Sequence, residues 1–229
     1  MFDTVTIDFR RPFPVFPLPE TMLLPHGIQP LHIFEHRYRA MVSEALDGRG
    51  QIAMATWADL SPDLLTERPM RPVVCLGQIV QHESVQTGYQ ILLHGLCRAR
   101  IVDTHPPMED RPWSNITVRP LTTEDKDETQ LDQARGTMHD LLRRDALKPL
   151  ERLEVVANWF DMADVPTGPL VDLTAGAVMA SSDQRYALLA ESDACVRAAM
   201  VLQELRDLER LLRLAALQPP IDDRRISLN

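Results

Sequence analysis

The stretch Phe16-Pro-Leu-Pro-Glu-Thr-Met-Leu-Leu-Pro-His-Gly-Ile-Gln-Pro-Leu-His-Ile-Phe-Glu-His-Arg-Tyr-Arg-Ala-Met-Val42 holds the most information in this chain. Its prolines and Gly27 cut it into short pieces. Pro30-Leu-His-Ile-Phe34 reads as a strand. His36 to Leu46 reads as a helix, because Tyr38, Met41, Val42 and Ala45 recur at helical spacing and Gly48 can close it. Glu35 at its entrance suits the helix dipole. Between them, the loop Thr21 to Gln29 carries Met22, Leu23, Leu24 and Ile28, more apolar bulk than a solvated loop needs.

Outward from this stretch, the chain changes character near residue 120. Residues 1–120 hold 13 of the 18 prolines, 6 of the 9 glycines and 9 of the 12 aromatics. That composition predicts many short segments and turns, a β-rich region. Gln51 to Trp57, Val73 to Glu83, Tyr89 to Ile101 and Asn115 to Val118 are its strand candidates. A turn at Thr87-Gly88 makes the middle pair a hairpin. Gly77 and Gly95 interrupt those strands and mark bulges or bends.

The remainder is poor in Pro and Gly and rich in Leu, Ala, Arg and Glu, which predicts helices. The first starts at Thr123 and runs to about Leu147. Leu150 to Met162 follows, with Leu153, Val156, Ala157 and Phe160 on one face. Leu170 to Ala180 and Asp183 to Ala190 are shorter, the latter with a capping box from Ser181 and Gln184. Ser192 caps the longest helix, which reaches about Gln218. Its stripe of Cys195, Ala198, Val201, Leu202, Leu205, Leu208, Leu212 and Ala215 reads as core-facing. The expected division is 1–121 for the β-rich part, 122–218 for the helices and a mobile tail over 219–229.

Charge and cysteine content narrow the function. Among the 229 residues, 24 Lys and Arg stand against 33 Asp and Glu, so the net charge is −9. The first 120 residues carry net −2 and no lysine, although Arg98, Arg100, Arg111 and Arg119 can gather locally. Nucleic acid is a poor partner for such a chain. No uncharged apolar run approaches the ~18 residues that span a bilayer. The N-terminus has no signal-peptide core, so a cytoplasmic location is expected. Cys75, Cys97 and Cys195 are far apart and form no CxxC, which reads as buried thiols.

The quoted stretch closely resembles the signature of the Lon protease N-terminal, substrate-binding domain. Phe16, Pro17, Leu18, Pro19, Pro30, Leu31, His32, Ile33, Phe34, Glu35, Arg37, Tyr38, Arg39 and Met41 match the family pattern. His26 stands between the proline and glycine that the family usually joins, and His36 stands where it usually has proline. Cys75-Leu-Gly77-Gln-Ile79 and Leu92-Leu-His-Gly95-Leu-Cys-Arg98-Ala-Arg-Ile101 resemble its glycine-containing strands. Leu170 to Leu212 is similar to its helical half. The resemblance implies an α+β fold. A small PUA-like β-barrel with one inserted helix precedes an α-helical bundle that ends in a long helix. It also implies binding of exposed polypeptide segments and no cofactor.

Catalytic signals are weak beside this. No GxxxxGK[ST] is present. Lys126 and Lys148, the only lysines, lie outside any Ser–Lys protease pattern. No GxSxG elbow occurs. The length leaves no room for the ATPase and protease of full-length Lon, so a stand-alone bacterial form is expected. His32 and His36 share the i, i+4 spacing of a metal pair, but His32 sits on the strand and His36 on the helix, which separates them. Glu35 is expected to pair with Arg39 or to answer free helix N–H groups, and Arg37 to anchor the helix to the strands.

Two places supply the apolar surface that polypeptide binding needs. One is Met22, Leu23, Leu24 and Ile28. The other is Trp57 with the following connection, Leu60, Leu64, Leu65 and Met70. The alternatives are that both merely cap the strands, that the chain is an adaptor for one folded protease or chaperone, or that it is a small-molecule enzyme with a pocket near His26 to His36.

Overall fold

The computed structural model describes residues 5–58, 69–122 and 127–217. The predicted site residues Leu60, Leu64 and Leu65, the helix start at Thr123 and the 219–229 tail lie outside the described residues. The described chain is α+β, with six strands and six helices. In order these are β1 (Phe13–Leu18), β2 (Ile28–Ile33), α1 (His36–Asp47), β3 (Gln51–Thr56), β4 (Val73–Val85), β5 (Gly88–His105), β6 (Asn115–Pro120), α2 (Glu128–Leu142), α3 (Glu151–Phe160), α4 (Thr167–Val178), α5 (Ser182–Ala190) and α6 (Ala194–Ala216).

Strand pairing makes a circuit. β1 pairs parallel with β3 and antiparallel with β6. β3 pairs with β4, β4 with β5, and β5 with β6. β2 stands outside this circuit, on the first half of β5. Phe13, Val15, Ala53, Ala55, Val74, Leu76, Ala99, Ile116 and Val118 cluster on one face of the strands. The alternate residues, including Phe16, Ile52, Met54, Val73 and Cys75, join α1 and the helices in a second, larger core. This is the period-2 alternation of strands buried on both faces.

The two glycines expected to interrupt the strands do so for steric reasons. β4 and β5 shift register between Leu76 and Gly77, so the pairing jumps from Leu76–Cys97 to Gly77–Gly95. Gly95 lets the 24–27 loop lie on the strand. Its N–H donates to the Gly27 carbonyl at 2.9 Å, and its carbonyl accepts from the His26 N–H at 2.8 Å. A Cβ there would stand 2.1 Å from the Leu24 carbonyl oxygen. Gly88, at the hairpin turn, has φ of 147°.

Several helix expectations need correction. α2 stops at Leu142, not Leu147. Its buried face is Leu131, Met138, Leu141 and Leu142, and a continued helix would point Leu147 elsewhere; the chain instead turns to bury Leu147 fully. Ser181 stands at the start of α5, but its side chain makes no cap hydrogen bond. Asp193, not Ser192, caps α6, by accepting from the Cys195 N–H at 2.8 Å. Along α6, Cys195, Ala198, Val201 and Leu205 are buried, whereas Ala215, with Leu211 and Leu214 near it, is exposed, so the stripe is buried only over the first part of the helix. Glu35 pairs with Arg37 at 2.9 Å rather than with Arg39, and makes no side-chain cap of α1.

α6 packs against α2 and α4, and α3 against α4. Two polar ties join this bundle to the strands. On one side, Tyr186 of α5 accepts from the Val73 N–H at 3.1 Å while its ring carries the Arg71 guanidinium at 4.5 Å. On the other, Arg98 of β5 reaches Asp172 of α4.

Candidate functional site

The two apolar segments predicted for binding have different fates. Met22, Leu23 and Leu24 are buried, at 7%, 2% and 5% exposure, in the core between strands and bundle. They form the inner wall of a narrow groove against Val156 and Trp159 of α3 and Leu173 of α4. Their apolar bulk is there because the loop is pinned to Gly95 and wedged under the helices. Ile28, the next apolar residue, is 54% exposed on β2. Of the four residues expected to offer exposed apolar surface, only Ile28 does so; Met22, Leu23 and Leu24 do not.

Trp57 is half-buried in a different place. It follows β3 and forms a bridge with Met70. The Ala58 N–H donates to the Pro69 carbonyl at 2.8 Å, which fixes the pair. Around it lies a groove of about 420 Å³ whose lining is dominated by rings and prolines: Tyr38, Trp57, Met70, Trp113 and Pro17, with Pro106, Pro107 and Pro112 from the β5–β6 connection. Such side chains offer large apolar area with little rotamer entropy to lose on binding.

One charged side chain lines this groove. Arg37 lines it and lies over the Tyr38 ring at 4.6 Å, while Glu35 holds the guanidinium through Nε and Nη2 at 3.1 and 2.9 Å. Burial raises the Tyr38 phenol above its ordinary pKa; Arg37 opposes that rise and Glu35 adds to it. The indole N–H of Trp113, a residue 4% exposed, has no hydrogen-bond partner. A buried donor left unpaired costs about 1–3 kcal/mol. The sequence pointed to Trp57 and Met70; it missed Trp113 and the prolines. The run Pro106-Pro107 to Pro112-Trp113, three prolines and an aromatic in one connection, was the available signal.

The signature residues have mainly structural places. Phe16 packs edge-on against Tyr38, with ring centroids 4.6 Å apart. His32 Nε2 meets Thr87 Oγ1 at 2.9 Å, tying β2 to the β4–β5 turn. Pro30 and Leu18 lie in strands and Gly77 at the bulge. Phe34 is 64% exposed just after β2. Arg37 does not bury itself between α1 and the strands as an anchor; it lies against Glu35, Tyr38 and the groove.

A second cleft opens at the junction of strands and bundle, with a volume of about 570 Å³. His26 lines it, but His32 and His36 do not, so the three histidines share no pocket there. Arg98 donates from Nη1 and Nη2 to Asp172 at 2.8 and 2.7 Å, and Arg197 donates from Nε to the same carboxylate at 3.1 Å. Cys97 lines it too. Burial pushes the Cys97 thiol up to about 11 and Cys75 higher still, so neither is a thiolate nucleophile at neutral pH. Among the described residues no group of three or more His, Cys, Asp or Glu is placed to hold a metal ion. Among them also no helix is long and apolar enough to cross a membrane.

Residues 12–207 match the family described as the ATP-dependent protease La (LON) substrate-binding domain. Lon protease 2 of Myxococcus xanthus is 21% identical over 209 residues, which cover 91% of this chain. The chain spans about a quarter of the length of that relative, 25%. Two solved structures share the fold. The N-terminal domain of a Mycobacterium avium complex Lon protease superposes with a TM-score of 0.65 at 17% identity, covering 86% of this chain and 99% of that one. A Lon N-terminal domain protein from Xanthomonas campestris does so with 0.56 at 19% identity, covering 91% and 99%.

Proposed function

This chain belongs to the Lon substrate-binding domain family, and on that premise we propose that it is a non-enzymatic module that binds exposed hydrophobic segments of client or partner polypeptides. The groove around Trp57 and Trp113 is the binding surface in this reading. The observation that carries it is a groove lined by Tyr38, Trp57, Trp113 and a set of prolines. Apolar side chains of a client supply the driving force there.

The circuit of strand pairings supports reading the β-rich half as the small PUA-like barrel, and the shared core supports reading residues 1–121 and 122–218 as two parts that fold against each other. A cytoplasmic setting, with neither nucleic acid nor membrane as partner, belongs to the same proposal.

Suppression of aggregation of a chemically denatured model client tests it. The wild-type chain is expected to suppress aggregation at stoichiometric ratios, and Trp57→Ala to lose most of that effect while melting within a few degrees of wild type. Equal suppression by both chains would place binding elsewhere.

A further inference from the structure

The junction cleft has an unused electrostatic feature, and we propose that it is a binding site for a single carboxylate. Its floor is the Arg98–Asp172–Arg197 triad. Two guanidinium groups share one carboxylate, and the three side chains belong to residues 7%, 2% and 7% exposed. Within the triad the two guanidinium groups outnumber the carboxylate by one charge, and Arg197 Nη1 also donates to the carbonyls of Glu191 and Ser192 at 3.1 and 2.7 Å, which are neutral acceptors. Arg98 Nε is also buried and has no hydrogen-bond partner.

Helix ends add to this field. The first turns of α2, α4 and α6 all line the cleft. Asp127 caps α2 and Asp193 caps α6, so those ends are already answered. α4 begins after Pro166 with no side-chain cap and no acid in its first turn, where Thr167 and Gly168 carry backbone N–H groups and Pro169 has none. Free N–H groups at a helix start favour an anion.

The remaining charged groups set the charge of the ligand. Arg135 is engaged with the carbonyls of Phe160, Met162 and Val165. His26 at the rim is held below its ordinary pKa chiefly by loss of hydration, with Asp172 opposing and His94, Arg98 and Arg197 assisting, so it stays neutral at pH 7. Glu128 and Asp132 line the α2 wall. These acids repel a multiply charged anion, which selects a carboxylate over phosphate. The carboxylate has two sources with the same chemistry: the C-terminus of a polypeptide or a small organic acid.

Calorimetric titration of the full 229-residue chain tests the site. The ligands are a short peptide acid, its C-terminal amide, propionate and inorganic phosphate. Saturable binding of the peptide acid but not the amide supports the site and identifies a chain end; equal binding of propionate supports it and identifies a small acid. No binding of either carboxylate at about 10 mM, or phosphate binding as tightly, overturns it. Gly168 separates the site from folding, since a Cβ there meets nothing within 4 Å. Gly168→Ala is expected to bind normally. Gly168→Asp places an acid in the first turn, which favours the helix, and is expected to weaken carboxylate binding roughly tenfold or more. Equal binding by Gly168→Asp overturns the proposal. Trp57→Ala is expected to leave this binding unchanged, so failure of the groove and failure of the cleft read out separately.

Discussion

Arg98 of β5 and Asp172 of α4 meet in a bidentate ion pair, Nη1 to Oδ2 at 2.8 Å and Nη2 to Oδ1 at 2.7 Å, at the seam between strands and bundle. Arg197 of α6 shares the carboxylate. One acid thus holds three elements distant in sequence.

Removing that acid strands two buried guanidinium groups. Asp172→Asn is expected to cost about 3–5 kcal/mol in urea denaturation, because the partners keep their desolvation penalty without compensation. A loss below about 1 kcal/mol would mean that water or a rearranged acid replaces Asp172 easily.

The loop beside β5 gives a steric prediction. Gly95→Ala sets a Cβ against the Leu24 carbonyl oxygen and must push the 24–27 backbone off the strand. About 3 kcal/mol of destabilisation is expected by denaturant titration. Substitution in the same loop should split by burial. Leu23→Ala is expected to cost about 2–5 kcal/mol, and Ile28→Ala to stay near 0.5 kcal/mol.

Much of the fold was legible in the residues, and the binding surface less so. Strand and helix positions followed from Pro and Gly punctuation and from stripes such as Leu153, Val156, Ala157 and Phe160, which are local signals. Met22 to Leu24 misled because a loop wedged under helices carries the same apolar composition as an exposed one; only the Gly95 contact distinguishes them. Trp113 and Trp57 are 56 positions apart in sequence and meet through pairing of β1 with both β3 and β6, which no local pattern records. Asp172 did leave a trace, as an acid inside an apolar helix.

Helix capping provides a paired test. Asp193→Ala removes the acceptor for the Cys195 N–H and is expected to cost about 1 kcal/mol. Ser181→Ala removes no cap hydrogen bond and is expected to be nearly silent in the same thermal melts.

His26 links stability to pH. Loss of hydration lowers its folded-state pKa, so the unfolded chain binds the proton more readily. Stability from this group is therefore full above the ordinary histidine pKa near 6.5 and falls as pH drops through that value toward the lower folded pKa. His26→Asn keeps a residue that tolerates the positive φ of 67° and is expected to flatten this part of the stability profile between pH 7 and 5. An unchanged profile would assign the acid sensitivity to other groups.

Site-specific photo-crosslinking tests the central claim most directly. A photoreactive amino acid is placed at position 57, in the groove, or at position 80, where Val80 is exposed on β4 away from it. Each chain is then irradiated with a denatured client. Binding in the groove predicts strong client adducts from position 57 and few from position 80. Adducts of equal yield from both positions, or none from position 57, would contradict it.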